Sequence, residues 1–98
     1  AQVWGAYPIE GMESLLSGKY EVAHGGYDNR PVEEDPHRLV PVDVVREMER
    51  EGLVGKLHPE FLSTTGNSNP LENSRRMGRE MATRLIEAGV DSVILTST

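Results

Sequence analysis

Three short segments of this 98-residue chain carry side chains that could do chemistry. In His24-Gly25-Gly26-Tyr27-Asp28, an imidazole and a carboxylate flank two glycines. Histidine titrates near neutrality, so His24 could act as a general acid or base. The same residues also read as a tight turn in which Gly25 and Gly26 supply positive φ. Ser63-Thr64-Thr65-Gly66-Asn67-Ser68-Asn69-Pro70 is a hydroxyl- and amide-rich turn that leads into a helix. Amides at a helix N-terminus favour an anion such as a substrate carboxylate; ordinary capping and loop chemistry accounts for the segment equally well. It is not a phosphate-binding loop, since the glycine spacing and the lysine are missing. Thr96-Ser97-Thr98 places three hydroxyls after the apolar run Val93-Ile94-Leu95.

Other polar residues are less informative. His24, His37 and His58 match no ligand spacing and have no cysteine beside them, so a metal site is not expected. Glu33-Glu34-Asp35 reads as a solvated acidic loop. Trp4 and Tyr7 suit core packing or an interface.

The elements that must position these segments alternate between strands and helices. Tyr20–His24, Glu60–Thr65 and Ser92–Thr96 read as strands, being short and rich in apolar, β-branched or aromatic residues. A helix is predicted from Asn69, as N-cap, with Pro70 in the first position, Glu72 in a capping-box position and Gly89 as the stop. Leu71, Ser74, Met77, Gly78, Met81, Ala82 and Leu85 share one face of it. A second helix covers Val42 to Glu51, with Val45 and Met48 inward and Gly52 as terminator; a weaker one runs from Ile9 to Leu16 and ends at Gly18. Asp28 to Pro41, with three prolines, reads as a loop.

This alternation predicts an α/β fold with a three-layer, Rossmann-like parallel sheet. Val93-Ile94-Leu95 is expected to be its central strand. Ligands in such sheets bind beyond the carboxyl ends of the strands. That rule gathers His24, Gly25, Gly26, Tyr27 and Asp28, then Thr64, Thr65, Gly66 and Asn67, then Thr96, Ser97 and Thr98 along one edge.

Composition sets the outer bounds. The net charge is −6, from 16 acidic and 10 basic residues, which argues against nucleic acid or an anionic membrane as partner. No apolar run approaches a membrane span, and the start resembles no signal peptide. Cysteine is absent, so disulfides and thiolate metal sites are excluded within these residues, and a cytoplasmic protein is expected. Apolar residues make up 37%, a thin supply for a core of this size. With Ala1 at the start, residues 1–98 are expected to form a single, partial α/β domain of a larger protein.

Several motifs together resemble a known family. Val93-Ile94-Leu95-Thr96-Ser97-Thr98, preceded by Glu87-Ala88-Gly89-Val90-Asp91, is similar to the segment before the selenocysteine of selenoprotein B. That protein is the substrate-specific subunit of the glycine, sarcosine and betaine reductases. Val3-Trp4-Gly5-Ala6-Tyr7, Gly11-Met12-Glu13-Ser14-Leu15 and His24-Gly25-Gly26-Tyr27-Asp28 are similar to family segments. So are Glu34-Asp35-Pro36-His37-Arg38-Leu39-Val40-Pro41, Glu51-Gly52-Leu53-Val54-Gly55-Lys56-Leu57-His58 and Ser63-Thr64-Thr65-Gly66-Asn67. Ser68-Asn69-Pro70 departs from the family's Gly/Thr-like continuation. The D-proline reductase selenoprotein is a more distant resemblance.

The resemblance implies a selenocysteine immediately after Thr98, with Thr96, Ser97 and Thr98 as its platform. It implies a partner subunit bearing a carbonyl (pyruvoyl-type) group that holds amino substrates. It further implies that the selenolate displaces the amine from the α-carbon of a small amine substrate. A second selenoprotein then accepts the carboxymethyl group, and acetyl phosphate results. The 98-residue chain itself, which binds no cofactor on this reading, is expected to be inactive. The rival reading is a small, non-catalytic α/β module that binds a carboxylate-bearing molecule. An unpaired strand edge predicts self-association, hence a homo-oligomer.

Overall fold

The computed structural model describes residues 3–17, 28–65 and 68–97. Its sheet joins β1, Val3–Pro8, to β2, Glu60–Thr65, in antiparallel register from Val3 opposite Thr65 to Pro8 opposite Glu60. Aromatic packing fixes that register. Tyr7 lies directly opposite Phe61, and their rings stack with centroids 5.3 Å apart and planes inclined by 23°. Gly5 leaves room for the Tyr7 ring along the strand, since a Cβ there would sit 3.3 Å from the Tyr7 hydroxyl. Past Pro8, the Ile9 N–H donates to the Pro59 carbonyl at 2.8 Å and closes the ribbon end.

The core lies at that end. Ile9, Leu15 and Val42 are buried together, with Met12, Val40, Leu57 and Phe61 packed against them. Val42 belongs to α2, Val42–Arg50, which also buries Val45. Helix α2 stops where expected: Gly52 takes φ +78°, and the amides of Gly52 and Leu53 return to the carbonyls of Glu49 and Met48. Helix α3, Leu71–Glu87, ends in the same way. Gly89 at φ +80° lets its own amide and that of Val90 reach Ile86 and Leu85.

The structure corrects several expectations. The pairing is antiparallel, and no three-layer parallel sheet forms among the described residues. Ser92–Thr96 forms no strand, and its Leu95 is 89% exposed. The proposed helix from Ile9 to Leu16 reduces to a 3-10 turn at Leu15–Ser17, because Gly11 turns the backbone at φ +72°. The presumed loop from Asp28 to Pro41 holds a short helix α1, Arg30–Glu34, and a 3-10 turn at Pro36–Arg38. Each begins with a proline in its first turn, where the missing N–H costs nothing. Asn69 does not cap the α3 backbone; its side chain instead bonds those of Asn73 and Ser74. Tyr20–His24 lies outside the described residues.

Candidate functional site

Of the residues expected to line the ligand edge, His24, Gly25, Gly26, Tyr27, Gly66, Asn67 and Thr98 lie outside the described residues. Thr64 and Thr65 close β2 opposite Trp4 and Val3, and both are exposed. Thr96 and Ser97 are also exposed. No hydrogen bond among the described residues engages these four hydroxyls. Asp28 is engaged locally. Its carboxylate accepts from the Arg30 backbone at 3.1 Å and from Nε and Nη2 of Arg30 at 3.0 and 2.9 Å. The Arg30 guanidinium, and then its amide, hold the Asp28 carboxyl below its ordinary range. No hydrogen bond or ion pair joins Asp28 to Thr64, Thr65, Thr96 or Ser97 among the described residues.

The structure assembles polar groups in three other places. The most enclosed is His37, whose side chain is 8% exposed. Its Nε2 accepts the Leu15 N–H at 3.0 Å and lies 3.3 Å from the Ser14 hydroxyl. A backbone N–H can only donate, so Nε2 carries no proton and the hydrogen resides on Nδ1. Nδ1 faces Asp35 Oδ1 at 3.1 Å and Asp43 Oδ2 at 3.3 Å. Serine, histidine and aspartate thus follow one another as in a nucleophile relay. The relay needs the Nε2 lone pair for the serine proton, and the Leu15 amide occupies it. His37 is therefore a strut that ties the 14–15 turn to the 35–38 turn and to the start of α2.

Arg46 and Glu49 make the second assembly. Arg46 donates from Nε to the Met12 carbonyl at 3.0 Å and from Nη2 to the Ile9 carbonyl at 2.9 Å. Its Nη1 donates to Glu49 Oε1 at 3.1 Å, while Glu49 Oε2 accepts the Leu57 N–H at 2.6 Å. The Leu57 amide, followed by Arg46, keeps the Glu49 carboxyl below the usual carboxylate range. Helix α2 thereby holds the exit of β1 and the approach to β2 together.

The third is Glu60 with Arg84. Two parallel bonds run from Arg84 Nε to Glu60 Oε1 at 2.6 Å and from Nη2 to Oε2 at 3.0 Å. His58 Nε2 stands 3.5 Å from Glu60 Oε1, too far for a good hydrogen bond, and finds no other partner among the described residues. Arg84 is thus the principal cause of the lowered Glu60 pKa. His37 and His58 each face their own carboxylates, in separate clusters. Among the described residues no group of three or more His, Cys, Asp or Glu side chains could hold a metal ion. No helix among them is long and apolar enough to cross a membrane.

The glycine/sarcosine/betaine reductase selenoprotein B family matches residues 1–98. The chain is 48% identical over 98 residues to the glycine reductase complex component B subunit gamma of Peptoclostridium litorale, covering 100% of this chain and 22% of that protein. It is 45% identical over 95 residues to the sarcosine reductase complex component B subunit beta of Peptoclostridium acidaminophilum, covering 97% of this chain and 22% of that one. Similarity to the D-proline reductase subunit gamma of Acetoanaerobium sticklandii is lower, at 38% over 77 residues, covering 78% of this chain and 32% of that subunit. The chain spans about a fifth of the length of the reductase B subunits it matches. No solved structure matches.

Proposed function

Because the chain belongs to the glycine/sarcosine/betaine reductase selenoprotein B family, we propose that it builds the substrate-side edge of a selenocysteine-dependent subunit. That subunit reductively cleaves the C–N bond of glycine, sarcosine or betaine. The observation that carries the reading is the family match over residues 1–98, which includes all three candidate segments. On this reading selenocysteine follows Thr98, and its selenolate supplies a strong nucleophile that is ionised at neutral pH.

The chain's own residues have four tasks. The amides and hydroxyls of Thr64, Thr65, Gly66 and Asn67 bind the substrate carboxylate. Gly25, Gly26, Tyr27 and Asp28 wall the site. His24 holds a proton for the leaving amine. Thr96, Ser97 and Thr98 fix the direction of the backbone that presents the nucleophile.

The Arg84–Glu60 pair supports bringing the first and fourth groups to one edge. It returns the end of α3 to the start of β2. A segment leaving α3 there and running back along the sheet travels parallel to β2, in the right-handed crossover such units adopt. Ser92–Thr96 is then a parallel strand of the complete subunit, and its polar end lies level with Thr65. In the complex, a partner carrying a carbonyl group of the pyruvoyl type would hold amino substrates, and a second selenoprotein would receive the two-carbon fragment. The complex would operate in the cytoplasm.

The experiment is expression of the full-length subunit with selenocysteine recoding. Iodoacetate should alkylate selenium at the position after Thr98, as read by mass spectrometry, and abolish amine-dependent acetyl phosphate formation by the reconstituted complex. A residue other than selenocysteine or cysteine at that position would sink the proposal.

A further inference from the structure

His37 is a buried titratable side chain to which the proposed reaction gives no task. Its side chain is 8% exposed, and the two edges of its ring meet opposite demands. On the Nδ1 edge stand two carboxylates, Asp35 Oδ1 at 3.1 Å and Asp43 Oδ2 at 3.3 Å. Carboxylates this close, where water is scarce, attract a positive charge. On the Nε2 edge the Leu15 N–H donates at 3.0 Å. A donor aimed at that nitrogen excludes the proton that would make the ring positive. Neutral, the ring offers the two carboxylates no charge; charged, it drives off the Leu15 amide.

The contact needed by the charged ring is already in place. Ser14 Oγ lies 3.3 Å from Nε2. With a neutral ring the hydroxyl donates across this contact; with a charged ring Nε2 donates and the hydroxyl oxygen accepts. The Leu15 N–H has no such choice, because an N–H can only donate.

We infer that His37 is a pH-sensitive latch on the 14–17 turn. In its neutral form it holds the Leu15 amide. On taking a proton from solvent at Nε2 it passes its hydrogen bond to the Ser14 hydroxyl and releases that amide. Leu15 is 3% exposed and packs with Ile9 and Val42, so the release loosens one side of the core. Arg46 confines it: its bonds to the Ile9 and Met12 carbonyls and to Glu49 do not involve His37. The other charges on the elements around the ring are engaged elsewhere or face water. Glu13 pairs with Arg50, and Glu33, Glu34, Arg38 and Glu47 are exposed. Asp35 and Asp43 are thus the charges that bias the latch.

The test uses the full-length subunit between roughly pH 8 and pH 5, where histidines titrate and most carboxylates stay ionised. Deuterium exchange at the imidazole C2 carbon, read by mass spectrometry, follows protonation of His37. Protection factors of the peptide holding Leu15, taken against the intrinsic exchange rate at each pH, follow the latch. The two curves should coincide, with Leu15 protection falling about fivefold or more, the effect of roughly one hydrogen bond. Protection of the α2 amides should hold. H37Q, which offers an oxygen to the Leu15 amide and takes no proton, should keep a constant protection across the span. D43N, which removes one carboxylate at nearly the same bulk, should move both curves together toward lower pH.

A His37 ring that takes no proton down to about pH 5 would overturn the inference. So would a ring that titrates while Leu15 protection stays level. A fall in H37Q equal to that in wild type would assign the effect to another group and sink the latch. If H37Q does not fold, D43N decides alone: curves that move apart exclude His37 as the cause. None of these results touches the reductase reading, which the selenium alkylation tests separately.

Discussion

Arg84 grips Glu60 with both prongs of its guanidinium, at 2.6 and 3.0 Å, and so brings the last turn of α3 to the first residue of β2. The two residues are 24 positions apart along the chain. Both side chains are partly solvated, so the contact acts more as a guide than as a large source of stability.

The pair makes α3 docking sensitive to acid. Arg84 holds the folded Glu60 carboxyl below the value it would have in the unfolded chain. The sign follows: the contribution is complete above the unfolded value and is lost as pH falls through the lowered folded one. Protection factors of the α3 amides, taken against the intrinsic exchange rate at each pH, should therefore be high at neutral pH and fall below roughly pH 4. E60Q should show lower protection factors at neutral pH and little further change in them on acidification. Identical pH profiles for wild type and E60Q would show that Glu60 does not hold the helix.

The His37 strut predicts a different pattern. Replacing the ring with phenylalanine keeps its bulk but leaves the Leu15 amide without an acceptor. An unsatisfied buried donor costs about 1–3 kcal/mol. H37F should lose that much in urea unfolding, and H37Q, which can offer an oxygen to the same amide, should recover part of it. Equal losses in H37F and H37Q would mean that the Leu15 hydrogen bond is not what His37 contributes.

Gly89 sets the exit from α3. Its φ of +80° is the left-handed conformation, and beyond its own chain neighbours no described atom lies within 4 Å of where a Cβ would stand. The cost of a side chain is thus backbone strain alone, and G89A should destabilise the chain by about 1 kcal/mol. G89N, which tolerates that conformation better, should lose less in the same thermal melt.

The parts of the fold that were legible in the sequence are those with local causes. Helix α2 could be read from Val45 and Gly52, and α3 from Met77, Met81, Leu85 and Gly89, because apolar spacing and glycine caps act within a few residues. Strand β2 was legible for the same reason. Strand β1 was not, because Gly5 and Pro8 break its apolar pattern and its register depends on Phe61, far along the chain. Pro31 and Pro36 looked like loop residues, although a first turn accepts proline. At the site, Thr64 and Thr65 fall at a strand end as the sequence suggested. The strut at His37 left no such trace, since its partners Ser14 and Leu15 lie 23 and 22 residues away.

Burial separates what holds the present fold from what awaits a neighbour. Ile9 and Val42 lie at the centre of the core, so I9A should cost about 2–5 kcal/mol in the 98-residue chain. Leu95 touches little at 89% exposure, so L95S in the same chain should change stability by no more than about 0.5 kcal/mol. In the full-length subunit the proposed parallel strand would bury Leu95, and L95S should then cost roughly 2 kcal/mol or more. The measurement is a pair of denaturant titrations on the same substitution, one in each context. A neutral result in both would show that Val93-Ile94-Leu95 is no interior strand, and the common edge proposed for Thr65 and Thr96 would fail with it.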